Sequence, residues 1–187
     1  MDKNYIAGFF DAEGSAMVLT IRRNLKTGVV YRFRPAIRIF QGTRSILENI
    51  QNYLGLGHID KQDKLYALTI NSLDGVSQFI KVISPYCELK KEVLNQLMEL
   101  CNIQLKDGKR YRNFPYSRED TIKILTIREK IYSLNDKTRR NLKRKYPADL
   151  ILAESNFVED PKEWMRQRDI NRLAASKLHP RGRNKKR

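Results

Sequence analysis

An α+β domain is the fold class that this sequence of 187 residues predicts. Three observations carry the prediction. Residues 15–41 and 57–72 are rich in β-branched and aromatic side chains, alternate in polarity, and are each broken by a turn, as in β-hairpins. Residues 4–12 and 43–54, one before each hairpin, repeat their apolar side chains at the helical period. Beyond residue 74 the pattern is helical. The order α-β-β-α-β-β-α-α gives four strands in two hairpins, with helices packed on one face of an antiparallel sheet. The length suits one compact domain with a tail, or at most two small domains.

The first helix starts from Asn4 or Asp2 as cap and runs to about Ala12. SAMVLTIRR (15–23) is the first strand, NLKTG (24–28) the turn, and VVYRFRPAIRIFQ (29–41) the second strand. In that strand Phe33, Pro35, Ile37 and Ile39 share one face, and Arg32, Arg34, Ala36 and Arg38 the other. Pro35 lacks a donor and is expected at a bulge or a ladder edge. Thr43 caps RSILENIQNYLG, in which Gly55 is the stop. The second hairpin, 57–72, turns near Gln62–Lys64. Residues 74–84 form a helix ended by Pro85, and 89–105 another. KDGKRYRNFP (106–115) is a basic loop. SREDTIKILTIREKIYSLND (117–136) opens on a Ser-x-x-Asp box. The composition then shifts: from Lys137 on, 16 Lys/Arg stand against 6 Asp/Glu. The reading is a core, 1–136, and a basic C-terminal extension, 137–187. Asp160 and Pro161 start one more helix, to about Leu178, before a basic tail.

With 37 Lys/Arg against 21 Asp/Glu the net charge is +16, which points to a polyanionic partner. Nucleic acid comes first and an anionic membrane second. The membrane is disfavoured, because no apolar run approaches the roughly 20 residues of a bilayer span. MDKNYIAGFF shows no secretory pattern. Cys87 and Cys101 form no CxxC pair, and as small buried side chains they fit a reducing intracellular compartment: cytoplasm, nucleoid or organelle. His58 and His179 are the only histidines, too few for a Cys/His zinc cluster.

Two constellations carry chemistry. The first is the arginine row of the second strand. A face with three arginines is not a buried one, and an ordinary solvated face would mix in acids, Thr and Ser. A twisted ribbon enters the DNA major groove, where Arg reads guanine. The matching face of the second hairpin offers His58, Asp60, Gln62, Ala67, Thr69 and Asn71, donors and acceptors suited to base edges. The second constellation is the stretch YIAGFFDAEG. Gly8 and Ala12 lie four apart on one helix face, open to close approach by another helix within the chain or in a second copy. Asp11 and Glu13 then sit at the helix C-terminus, where the macrodipole disfavours them. Something positive must compensate, and Mg2+ held by carboxylates and substrate phosphates does so. Two copies packed about a two-fold axis would bring two Glu13 together, as in a two-metal phosphodiester site.

IAGFFDAEG resembles the signature of the LAGLIDADG homing endonucleases, with Ile, Phe and Glu at three tolerant positions. The αββαββα order is also that family's. IRIFQ is similar to the family segment that places a polar residue beside the metals, here Gln41. YCELKKE resembles the site of a lysine near the scissile phosphate, here Lys90, with Lys91 as second choice. SLNDKTRR (133–140) is similar to the turn into a DNA-contacting tail, which nominates Arg139 and Arg140 for phosphate contacts. The resemblance spans about residues 4–140. A basic residue often follows the Gln by one helical turn in the family; here Ser45 stands there, with Arg44 beside it, and the third polar site residue stays open between them.

With one motif, the resemblance implies a homodimer that cuts long, near-palindromic double-stranded DNA using Mg2+, with Mn2+ able to substitute. It implies a dimer interface of Ala7, Gly8, Asp11 and Ala12, with Asp11 in a structural role there, Glu13 as metal ligand assisted by the Ala12 carbonyl, and Glu13, Gln41 and Lys90 as catalytic residues. Arg32, Arg34, Arg38, His58, Asp60, Gln62, Ala67 and Thr69 would read the DNA. Two rivals stand beside it. Glu88-Leu89-Lys90 with Asp74 faintly resembles the PD-(D/E)xK nucleases. A non-cleaving DNA-binding protein of this fold, or a maturase acting on intron RNA, is the reading from another class.

Overall fold

The computed structural model describes residues 1–25, 28–105, 116–135, 145–157 and Arg166. Its elements are α1 (Lys3–Glu13), β1 (Gly14–Leu25), β2 (Gly28–Gln41), α2 (Arg44–Leu54), β3 (His58–Gln62), β4 (Leu65–Ile70), α3 (Leu73–Ile83), a 3-10 turn at Ser84–Tyr86, α4 (Lys91–Leu105), α5 (Arg118–Asn135) and α6 (Ala148–Glu154). The α+β prediction holds: one antiparallel sheet of order β1-β2-β4-β3, with helices covering one face. The basic loop 106–115, the helix expected over 160–178, Arg139, Arg140 and the basic tail lie outside the described residues. Among the described residues no helix is long and apolar enough to cross a membrane.

The caps explain where helices start and stop. Asp2 accepts the Tyr5 N–H at 2.8 Å, so Asp2 rather than Asn4 caps α1. Gly55 ends α2 in the left-handed region, at φ 65°, where a Cβ would be strained. Ser117 Oγ accepts the Asp120 N–H at 3.0 Å, the capping half of the Ser-x-x-Asp box. Thr43 precedes α2 without a side-chain cap bond. The turn of the second hairpin is Asp63–Lys64, with Asp63 at φ 52°. Cys87 and Cys101 are free and buried.

The faces of β2 fall as its alternation predicts. Tyr31, Phe33, Pro35, Ile37 and Ile39 are buried against the helices, where Ile6, Phe10, Leu47 and Phe79 meet them in the core. Pro35 occupies a local edge. β4 pairs with β2 only from Ile37 to Gln41. Phe33 O accepts from Gln104 Nε2 and Val29 O from the Asn156 N–H, so the odd residues of β2 present their polar backbone groups away from β1. At Pro35 that side has no strand, and the missing donor breaks no ladder bond.

The element not anticipated is α6. Pro147 precedes it, and Asn156 and Ser155 just beyond it meet Val29 of β2. The extension after residue 136 therefore returns to the sheet, at the half of β2 that β4 leaves open.

Candidate active site and nucleic-acid interface

α1 runs straight into β1 with no linker. Gly14 makes this possible, because a Cβ there would lie 2.0 Å from Phe10 Cδ2. The sharp exit leaves Ala12 and Glu13 exposed, and the Glu13 carboxylate has no hydrogen-bond partner among the described residues. β1 starts opposite Ile39, so Gln41, two residues further on, is carried to the same end of the sheet. Its Oε1 accepts the N–H of Gly42 at 2.7 Å.

Lys90 reaches this end from the turn before α4. Its ammonium donates to Phe10 O at 3.0 Å and also to Asp11 O, and it lies 5.6 Å from the Phe10 ring centroid. These are last-turn carbonyls of α1, the place where the macrodipole favours a cation. Asp11 returns the contact. Its carboxylate accepts the successive N–H groups of Glu88, Leu89 and Lys90 at 2.7, 3.1 and 2.9 Å. Three consecutive amides converging on one anion make a concave anion seat. Burial holds the Lys90 ammonium below its usual pKa, offset by Asp11, Cys87 and Glu13. Burial, with Asp11 alongside, pushes the Cys87 thiol up to about 12. The positive charge that the sequence demanded at the end of α1 is thus supplied inside the chain, by Lys90.

Arg44 is paired with Glu48 at 2.8 Å and Ser45 is exposed. Asp74 lines a cleft with Arg32, Arg34 and Pro35, while Glu88 is held at Asp11, so the two acids of the E-x-K rival stand at different ends of β2.

The sheet register assembles the expected reading face. Arg38 sits across from Ser15 on one side and Thr69 on the other, and Thr69 across from His58. Phe40, Ala67 and Asp60 form the next row, with Gln62 opposite Leu65 beyond it. Arg34 and Arg32 follow in the other direction, opposite Leu19 and Ile21. Ala67 and Thr69 belong to these rows but are covered, at 0 and 3% exposure, so their part is to floor the surface. His58 Nε2 is 3.0 Å from Asp60 Oδ2. Arg32, Arg34 and Arg38 have no acidic partner among the described residues, and Arg38 Nε is buried without a hydrogen bond. Burial, then the neighbouring Arg23 and Arg34, lower the Arg32 pKa. An uncompensated cationic row is the electrostatic footprint of a polyanion site. Sequence reasoning missed Arg23, which shares this face opposite Val30. The alternation that would reveal it is masked in β1, whose outer positions Met17, Leu19 and Ile21 are apolar.

The free face of α1 carries Tyr5, Gly8 and Ala12, all exposed, and a Cβ on Gly8 would meet nothing within 4 Å. Tyr5 and Met1 line an open groove with Asn49, Asn52 and Tyr53 of α2. Ala7 corrects the expected seam: it is 0% exposed and faces the chain's own core. Asp11 is likewise turned inward, to the amides before α4.

A four-stranded sheet with one cationic face, unpaired among the described residues, and a helix ending in an exposed carboxylate at its rim, defines the class of this protein as a two-layer α+β fold of the homing-endonuclease type. The chain belongs to the LAGLIDADG endonuclease family, whose model matches residues 6–103. Among solved structures it is similar to the homing endonuclease I-CvuI, described with the I-CreI target in the presence of Mg and with DNA not cleaved. The identity is 18%, the TM-score 0.66, and the match covers 82% of this chain and 96% of that one. I-CvuI with its own target in the presence of Ca aligns at 19% identity and TM-score 0.67, over 81 and 90% of the two chains. The archaeal intron-encoded I-Vdi141I, complexed with DNA, aligns at 23% identity and TM-score 0.65, over 81 and 92%. At these identities the likenesses show the fold. Comparison with curated protein sequences gave no match.

Proposed function

We propose that the chain is a homodimeric, metal-dependent endonuclease that recognises and cuts a long, near-palindromic double-stranded DNA site. One observation carries the reading: Glu13, the exposed carboxylate at the α1–β1 junction, stands at the rim of a sheet face where Arg32, Arg34 and Arg38 have no acidic partner among the described residues. The helix-end groups fit a hard divalent cation. Glu13 is an unengaged oxygen donor, and Lys90 takes the carbonyls of Phe10 and Asp11 rather than that of Ala12. One carboxylate and a carbonyl per chain are the share of ligands Mg2+ takes from protein when phosphates and water supply the rest. Bound there, Mg2+ or Mn2+ supplies activation of water and charge stabilisation at the phosphate.

The chain's own residues do the remainder. Glu13 and the Ala12 carbonyl hold the cation. Gln41 exchanges its bond to Gly42 for the water it positions. Lys90 keeps the end of α1 in place and offsets phosphate charge. Arg32, Arg34, Arg38, His58, Asp60 and Gln62 face the major groove over the floor of Ala67 and Thr69, and Arg139 and Arg140 contact phosphates. Gly8 and Ala12 form the seam with a second copy, whose motif supplies the other Glu13. The 1–136 core performs this work, and 137–187 extends it with basic surface.

Selecting cleaved duplexes from a random library in Mg2+, against an EDTA control, tests the reading. Glu13→Gln is nearly isosteric but uncharged, so it is expected to retain binding in a gel shift and to lose cleavage. Near wild-type cutting by Glu13→Gln would falsify the assignment.

A further inference from the structure

The far third of the β1–β2 hairpin lacks the support given to the rest. β4 pairs with β2 no further than Ile37. On the other edge α5 lays three polar side chains along β1: Asn135 Nδ2 donates to Ala16 O at 2.9 Å, Tyr132 OH to Val18 O at 3.5 Å, and Arg128 to Thr20 Oγ1 at 3.2 Å. Among the described residues the bonds from α5 end at Thr20 and the ladder to β4 ends at Ile37, short of the pairs beyond Thr20–Phe33. A bare two-stranded ribbon is marginally stable. Its outer face carries Arg23 and Arg32, which repel each other, with Arg34 adjoining across from Leu19.

What holds this third is the segment after α5. Tyr146 packs edge-on against Tyr31, with ring centroids 5.4 Å apart, and the Asn156 N–H donates to Val29 O at 2.8 Å. Between them Glu154, the last residue of α6, spans both strands. One oxygen, Oε2, accepts Arg22 Nε at 2.9 Å and Tyr31 OH at 2.7 Å, and Arg22 and Tyr31 are a cross-strand pair. The pairs on either side, Ile21–Arg32 and Arg23–Val30, place Arg32 and Arg23 on the opposite face.

We propose that Glu154 is a positioning residue for DNA recognition: by clamping the Arg22–Tyr31 pair on the inner face, it fixes Arg23 and Arg32 on the outer face and thereby sets base choice at the outer ends of the target. The inference rests on the endonuclease reading. Glu154 lies outside the matched residues 6–103, while its partners Arg22 and Tyr31 lie within them, so the clamp ties the C-terminal segment to the matched core. A preorganised ribbon binds without the ordering cost that a loose one carries. Its loss therefore falls on recognition and leaves the chemistry at Glu13 alone.

The test uses full-length protein, with Glu154→Ala, Tyr31→Phe and the swap Arg22→Glu with Glu154→Arg. Hydrogen exchange of the Arg23 and Val30 amides, which face each other across the β1–β2 ladder, reads the clamp without DNA. Cleavage of a library varied at each position reads the positioning. Glu154→Ala is expected to speed exchange at least tenfold. It is also expected to lower discrimination at the outermost positions by about tenfold, the order a loosened arginine–guanine contact allows. The half-saturating DNA concentration should rise with the rate at saturation unchanged; Tyr31→Phe gives a weaker form, and the swap restores the profile. Unchanged exchange overturns the clamp. Faster exchange with an unchanged outer profile overturns the positioning role. A wild type that cuts no duplex overturns the endonuclease reading, while the exchange result still decides the clamp.

Discussion

Replacing Asp11 by Asn tests the clasp between α1 and α4 directly. The carboxylate accepts three amides, from Glu88, Leu89 and Lys90, at 2.7 to 3.1 Å. An asparagine oxygen has the same reach on one side only; its NH2 then faces donors it cannot accept from. A hydrogen bond to a charged group contributes roughly 1.5–3 kcal/mol when buried and less when water competes. Two of the three bonds are exposed. Oδ2 accepts two of the amides and Oδ1 one, so the asparagine oxygen keeps two; one bond lost and one N–H left facing the NH2, at about 1 kcal/mol each, give a destabilisation of about 2 kcal/mol. For a chain of this size each 1 kcal/mol moves Tm by about 2–4 °C, so Tm should fall by about 4–8 °C. Differential scanning calorimetry and urea titration, with unchanged slope, provide the assay. Lys90→Met should be strongly non-additive with it, because the two residues hold the same junction. Asp11→Asn with a midpoint within about 1 °C of wild type would show that the amide seat contributes nothing.

Gly8→Leu adds an isobutyl group to the open face of α1, where a Cβ meets nothing within 4 Å, so folding should persist while sedimentation shifts from dimer to monomer; a wild type that is already monomeric at micromolar concentration refutes the seam. Arg34→Ala and Arg38→Ala should each relax choice at one position per half-site, at a cost of about 1–3 kcal/mol, whereas Arg139→Ala and Arg140→Ala should weaken all sequences alike and flatten the salt dependence; an unchanged cleavage profile from both strand variants removes the sheet as reading surface. Cys87 and Cys101, with thiols pushed up to about 12 and about 11 by burial, should resist alkylation in the folded protein at mildly alkaline pH and react promptly in urea; rapid labelling of native protein, read by intact mass, contradicts the burial.

The hairpins and first helices were legible because their signals are local. Alternation in β2, the caps at Asp2 and Gly55, and the Ser117 box each specify structure within a few residues. The arginine row was legible for the same reason, since a period of two assigns a face without knowledge of neighbours. Three features were not. Ala7 matches the small-residue pattern of a seam as well as Gly8 does; only packing shows that its methyl points into the core. Arg23 stands among apolar outer residues of β1, so no polar alternation marks it. α6 has seven residues, and its position follows from long-range contacts with Arg22 and Tyr31 that no local pattern encodes.

The two acids at the end of α1 have separate explanations. From sequence alone, both are misplaced against the macrodipole, and one cation answers for both. The structure divides them. Asp11 leaves the helix field by turning to the amides before α4, where partial positive charge converges on it. Lys90 neutralises the carbonyl end itself, so the helix needs no outside cation to be stable there. Of the two, Glu13 alone remains exposed, two residues beyond the Asp11 clasp. On the proposed function, a carboxylate kept where neither fold stability nor helix capping calls for it, on a chain of net charge +16, has its rationale in a ligand. That ligand must be positive enough to hold it and tolerant of phosphate beside it, which are the properties of a divalent cation shared with DNA.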